Sequence, residues 1–261
     1  MSYNVQAGSG GYAGWKILER TMVKQRSAFL KSHDIRVSKD YFQKNIQNIK
    51  TAEELVNDRK LLVVVLRAFG LDSDVNNKFF LRKIIESDPA DKGSLVNRLA
   101  DKRYLALNQG LALHFSSEGQ GARVDVGAII EKYESRSVER NIGERHAEIE
   151  LALNAQRELL NIATSDASEN TKWYQILASK PLRQVFEGAY GIGAGFSSLS
   201  IDRQLSELKV RTERLTGSNS VSQFESGDGL DLVLRHFLLR SQMSVSSGSS
   251  RYANALALLR A

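Results

Sequence analysis

Apolar residues recur at intervals of three and four along most of this chain, and no segment alternates apolar and polar residues as a half-buried strand does. A period of 3.6 residues gathers such positions on one helical face, so an all-α fold is expected. Only two prolines, Pro89 and Pro181, interrupt long runs of Ala, Leu, Arg, Glu, Lys and Gln, the residues that lose least on entering a helix. At 261 residues the chain is long enough to bury a core as one large or two modest domains. With 42% hydrophobic and 25% charged residues it has the composition of a globular protein rather than a disordered one.

The apolar stripes mark the elements. A first helix is expected from about Trp15 to Leu30, with Trp15, Leu18, Met22 and Phe29 near one face, and a shorter one carries Tyr41, Phe42, Ile46 and Ile49. Thr51 and Glu54 form a capping box, and the helix they open ends at Gly70. The next runs from Val75 to Ile85 with Phe79, Phe80 and Ile84 as its stripe; one or two more turn Leu95, Leu99, Tyr104, Leu105 and Leu111 inward. From about Val126 to Ala163, Ile129, Tyr133, Ile142, Ile149, Leu153 and Leu160 keep helical spacing over roughly 55 Å. So long an element exceeds a compact domain, so part of it projects or it breaks near Gly143. The expected organisation is an N-terminal helical half over 1–122, a long connecting helix over 123–165, and a C-terminal half over 166–261 with a flexible serine-rich linker and a terminal helix, either as separate parts or as one integrated domain.

The stretch "ILASKPLRQVFEGAYGI" lies on "LVNDRKLLVVVLRAFGL" at constant offset, since 191 − 70 and 192 − 71 both equal 121. Ile176 falls on Leu55, Leu182 on Leu61, Val185 on Val64, Ala189 on Ala68 and Tyr190 on Phe69. Past the glycine, Phe196 meets Val75, Ile201 meets Phe80 and Leu205 meets Ile84. Each copy reads helix, glycine corner, helix, so the expected fold is a multi-helix bundle with two such units and one long helix.

Little here carries chemistry. Asp72, Asp74 and Asn76 fill the first three ligand positions of a calcium loop, but Asn77 stands where the turn needs glycine and Lys83 where the bidentate glutamate belongs. "GAYGIGAGFSS" follows a helix and lacks the lysine and hydroxyl of a phosphate loop. His33, His114, His146 and His236 are scattered; His114 with Glu118 and His146 with Glu150 stand four apart, and neither pair has a third ligand to complete a metal site. Glu53 and Glu54 are helical neighbours pointing different ways, while Glu225, Asp228 and Asp231 suit a helix start. With no cysteine and no nucleophile elbow in the serine tract, no catalytic, metal or cofactor residue is assigned, no cofactor is expected, and the chain reads as no enzyme. The net charge of +6 and pI near 9.4 make an acidic partner conceivable, and a regulatory nucleic-acid binder is the alternative function. Against it, charges alternate in sign, as in "EKYESRSVERNIGERHAEIE", which is how a solvated helix face reads. No apolar run approaches the ~20 residues that span a bilayer, and the first residues lack a signal peptide's basic and apolar blocks, so synthesis in the cytoplasm is expected.

The segments "LVNDRKLL", "AFGL" and "NRLADKRY", with "KPLRQVFEGAYGI" and "FLLRSQMS" later, resemble a family of uncharacterised alphaproteobacterial proteins often encoded in flagellar gene clusters, over about residues 10–245. The resemblance implies an all-helical protein with a flagellar association and flagellar protein partners, including export without a cleavable signal, and no established activity. Within these segments Asp58, Arg59, Asn97, Arg98, Asp101, Lys102, Arg103 and Tyr104 are polar residues set among apolar helical positions, where they cap or bridge helices or form a binding surface. The expected function is a non-enzymatic structural or protein-binding component of the flagellum, with the apolar terminus "SSRYANALALLRA", Tyr252, Leu256 and Leu259 on one face, docking on a partner or packing as a simple helix.

Overall fold

The computed structural model of the chain describes residues 3–111 and 124–259, with side chains as far as residue 243 except at 194. Among these residues the backbone forms α-helices and no strand: α1 Gly11–Leu30, α2 His33–Asn45, α3 Ala52–Asn57, α4 Arg59–Phe69, α5 Lys78–Ile85, α6 Leu95–Arg98, α7 Arg103–Leu111, α8 Val126–Gly143, α9 Ala147–Ala163, α10 Glu169–Ala178, α11 Lys180–Tyr190, α12 Ile201–Thr216 and α13 Asp228–Leu259. The protein is all-helical, as its periodicity requires. Two compact units divide it, one of Met1–Val5 with Val23–Asn141, the other of Gln6–Met22 with Ile142–Ala261.

In the first unit α4 is the anchor. Leu61, Leu62, Val64, Val65, Leu66, Ala68 and Phe69 are all buried, and α4 packs on α2, α3 and α7. At about 1.5–3 kcal/mol for each fully buried large apolar side chain, that helix holds much of the unit's core energy. Thr51 caps α3 by accepting from Glu54 N at 3.0 Å, while the Glu54 carboxylate accepts from Lys50 N at 2.8 Å. Glu134 of α8, largely buried, is paired with Lys39 of α2 and with Arg26 at 3.7 Å. Buried Asn108 donates to the carbonyls of Ile84 and Ser87, both at 2.8 Å, and so ties α7 to the end of α5.

The second unit closes around aromatics. Trp173, Phe186 and Phe224 are buried and meet edge to face, with centroids 5.7 and 5.9 Å from Phe186. Such pairs add about 0.5–1.5 kcal/mol each to the area they bury. Lys172 is buried too, its ammonium donating to Ala163 O at 2.7 Å and Ser222 Oγ at 3.0 Å. The start of α1 belongs to this unit, where Gly11 N donates to the Glu148 carboxylate at 2.9 Å.

The segment 126–163 takes the second of its two expected forms and breaks at Gly143, with α8 ending there and α9 starting at Ala147; the position of Gly143 is crowded by Glu150, so a side chain there would collide. Other elements differ from their sequence reading. The serine-rich tract is part of α13, which continues to Leu259; serine costs a helix only about half a kcal/mol relative to alanine. The side chains of Tyr252, Leu256 and Leu259 lie outside the described residues, as do His114 and Glu118. Three apolar faces are rotated. Phe79 is 76% exposed while Leu81, Ile84 and Ile85 are buried; Leu95 is exposed and Val96 buried; Leu160 is 45% exposed and Leu159 fully buried. Adjacent apolar residues differ by about 100° around a helix, so where two or three stand together the face is settled by the packing of neighbours and not by spacing.

Leu159→Ala should therefore cost about 2–5 kcal/mol in chemical denaturation, whereas Leu160→Ala should stay within about 0.5 kcal/mol of the parent. Equal effects at the two positions would contradict the phase of α9.

Candidate functional site

The polar residues of α6 and α7 converge on the end of α4. Gly70 is left-handed at φ 70°, ψ 33°; Leu71 N donates to Leu66 O at 2.8 Å and Gly70 N to Arg67 O at 3.1 Å. This is the paired closure by which a glycine satisfies the last carbonyls of a helix. Arg103 at the start of α7 donates from Nη1 to Gly70 O at 2.5 Å, and the Asp101 carboxylate holds its guanidinium through Nε and Nη2. Tyr104 donates to Asp74 at 2.8 Å and its ring stands edge-on to Phe80 at 5.2 Å. Arg136 of α8 lies against Gly70 so closely that a Cβ there would overlap its guanidinium.

Burial pushes the Asp101 carboxyl up, but the hydrogen bonds and charge of Arg103 outweigh it and leave the group below the ordinary carboxylate value. Burial, with the hydrogen bond to Asp74, pushes the Tyr104 phenol up to about 12. Both shifts come from neighbours that fix the corner.

Of the eight polar residues singled out in the sequence, Asp101, Arg103 and Tyr104 come together here. Asp58 caps α4, accepting from Lys60 N at 2.9 Å and Leu61 N at 3.0 Å, and also accepts from Tyr41 at 2.8 Å. Asn97 donates to Pro89 O and Asp91 O. Lys102 reaches Asn97 O, and Arg59 and Arg98 are exposed. The calcium-like loop is occupied by protein: Asp72 pairs with Arg67 at 2.7 Å, and Asp74 accepts from Asn77 as well as Tyr104. Among the described residues no three His, Asp or Glu side chains are grouped to hold a metal.

The second unit has its own corner. Gly191 is left-handed at φ 62°, ψ 39°, with Ile192 N donating to Glu187 O at 2.8 Å and Gly191 N to Gly188 O. Arg211 donates to Tyr190 O at 3.1 Å, Tyr190 and Thr212 share a hydrogen bond at 2.6 Å, and Arg240 lies against Gly191 as Arg136 does against Gly70. The offset of 121 extends to the helix breaks, since 179 − 58 is also 121 and both caps are extended, φ −84° and −82°. Every aligned apolar pair before the glycine is buried in both copies. After it the offset becomes 123: buried Leu81 answers to buried Gln204 and Ile85 to Leu208, because 204 − 81 and 208 − 85 are both 123. Two extra residues in the second corner explain why the pairings of Phe80 with Ile201 and Ile84 with Leu205 fail.

The second unit also carries a cleft of about 330 Å³ between α1 and α13, which the sequence reading missed. Trp15, Leu232 and Leu234 line it together with Tyr12, Lys16, Glu19, Asp228, Asp231 and Arg235. Tyr12 is flanked by the cations of Lys16 at 5.5 Å and Arg235 at 5.7 Å, and Glu19 is engaged by Lys16 at 2.7 Å and Trp15 Nε1 at 2.8 Å. Asp228 and Asp231 do stand at a helix start, in the first turn of α13. Their meeting with α1 is a long-range contact that no local spacing announces.

Fold and corners together define an all-helical protein whose embedded polar side chains tie helix ends. The chain belongs to the family described as a protein of unknown function (DUF1217), whose model matches residues 68–229 and so takes in both glycine corners. No curated protein matches the sequence. A crystal structure of a protein from Agrobacterium tumefaciens, a structural-genomics target, is similar with a TM-score of 0.72 over 92% of this chain and 98% of that one, at 19% identity, a likeness of fold.

Gly70→Ala should lower stability by more than Gly217→Ala. Both force a side chain into the left-handed region, at about 1–2 kcal/mol, but only Gly70 has a guanidinium against it. Equal losses would mean that Arg136 yields freely. A second expectation concerns alkali. The Tyr104 phenol is held neutral by the fold, so its contribution is complete below the unfolded value of about 10 and is lost as pH rises through about 12. Tyr104→Phe should flatten the fall in melting temperature across that window; an unchanged slope would contradict the Asp74 contact.

Proposed function

We propose that the protein is a non-enzymatic helical component acting through protein contacts in the assembly or function of the bacterial flagellum, made in the cytoplasm. The observation that supports this reading is the employment of its polar residues: Asp58, Asn97, Asp101, Arg103 and Tyr104 all bond to backbone or side chains of their own unit and present no converging set to a substrate. Polar groups at the rim of the core that are engaged in this way hold helix ends in place. The flagellar connection rests on the family resemblance of "LVNDRKLL" and "NRLADKRY".

Deleting the gene from its bacterium, scoring swimming and counting filaments by electron microscopy tests the reading. Reduced swimming or altered filaments are expected, with restoration by the gene in trans. Normal motility with unchanged filament number and length would overturn the flagellar assignment. Salt-dependent retention of the protein on DNA or RNA would favour a regulatory nucleic-acid role instead.

A further inference from the structure

Helix α13 buries Leu230, Val233, Leu234, Phe237 and Leu238 within its unit, yet its opposite face is not uniformly polar. Leu232 and Leu239 are 38% and 39% exposed and Met243 is 68% exposed. Positions 232, 239 and 243 fall within about 40° of one another around the helix and extend about 16 Å along it. At its start this stripe runs into the cleft, because Leu232 lines both.

The charges of the cleft are unevenly employed. Lys16 is spent on Glu19 and Tyr12, and Arg235 is stacked on Tyr12. Arg240, further along, lies on Gly191. The carboxylates of Asp228 and Asp231 have no hydrogen bond or ion pair to any described residue. First-turn carboxylates are favoured by the helix dipole, which accounts for their presence but leaves their charge unneutralised. The uncompensated charge at this end is negative, and it adjoins an apolar floor and a stripe too long for a small cation to use.

We propose that the cleft and the α13 stripe form one docking surface for an amphipathic helix of a partner protein, with basic side chains at the end that enters beside Asp228 and Asp231 and apolar residues at i, i+7 and i+11 laid on Leu232, Leu239 and Met243. The proposal rests on the protein-binding reading above and names the chemistry of the partner. A basic end meets the two carboxylates, while the apolar face covers the stripe, the usual division between charge for orientation and burial for affinity.

Two synthetic helical peptides test it, both with leucines at that spacing, one with a Lys-Lys-Arg end and one with Glu at the same positions. Fluorescence anisotropy with the full chain should show the basic peptide binding at least about tenfold tighter. Asp228→Lys with Asp231→Lys should invert that preference, and Met243→Asp should weaken both peptides while leaving the circular dichroism and melting temperature of the chain unchanged. Absence of binding, equal binding of the two peptides, or a preference that survives the lysine substitutions would overturn the proposal. So would a dimer in sedimentation that Met243→Asp dissociates, since a second copy would then own the surface. These outcomes leave the motility phenotype of the deletion untouched, so this proposal and the flagellar reading fail separately.

Discussion

The last carbonyls of a helix have no partner within it, and α4, with seven of its eleven residues buried, must find them in the protein around it. Its solution is local and specific. Gly70 adopts a conformation that a side chain would strain, two backbone N–H groups return to the helix end, and Arg103 supplies a further donor to the glycine carbonyl. Once these bonds are set, the direction in which the chain leaves α4 is set too. The Asp101 and Tyr104 contacts follow from α7 being held against that exit, and the carboxylates that resemble a calcium loop are drawn into the same network.

A similar device closes α11 in the other unit, where Arg211 bonds the carbonyl of Tyr190, one residue before the glycine, and Arg240 lies on Gly191 as Arg136 lies on Gly70. The agreement of caps, helix breaks and buried positions at one offset is stronger than two amphipathic helices produce by sharing a period. Its slip by two residues past the glycine is equally informative. Exposed corners accept insertions that a packed helix does not, because the helix would rotate every buried side chain by about 100° per residue. Helix, cap and guanidinium are retained as a group, and the segment free to lengthen has lengthened.

Helix content, the cap at Thr51, the corner glycines and the proline at the start of α11 were legible because each depends on a few adjacent residues. The faces of α5, α6 and α9 were not. Phe79, Leu95 and Leu160 each sit beside another apolar residue, and only the neighbouring helices decide which one turns inward. The split at Gly143 was open to sequence as an alternative, since length argued against one rod but no proline marked the break. Polar residues near 97–104 were legible as important, yet their function as a brace for Gly70 required knowing that residues some thirty apart meet. The cleft was illegible for the same reason on a larger scale: Tyr12 and Arg235 lie at opposite ends of the chain.

The central claim is that the glycine corners are rigid structural closures and not mobile ligand loops. Native-state hydrogen exchange at Leu71 and Ile192, whose amides make the bonds to Leu66 O and Glu187 O, tests it most directly. The account predicts that both amides exchange only through unfolding of their unit, with the same free energy and denaturant dependence as buried amides in α4 and α11. Exchange through a local opening, independent of denaturant while α4 and α11 stay protected, would contradict it.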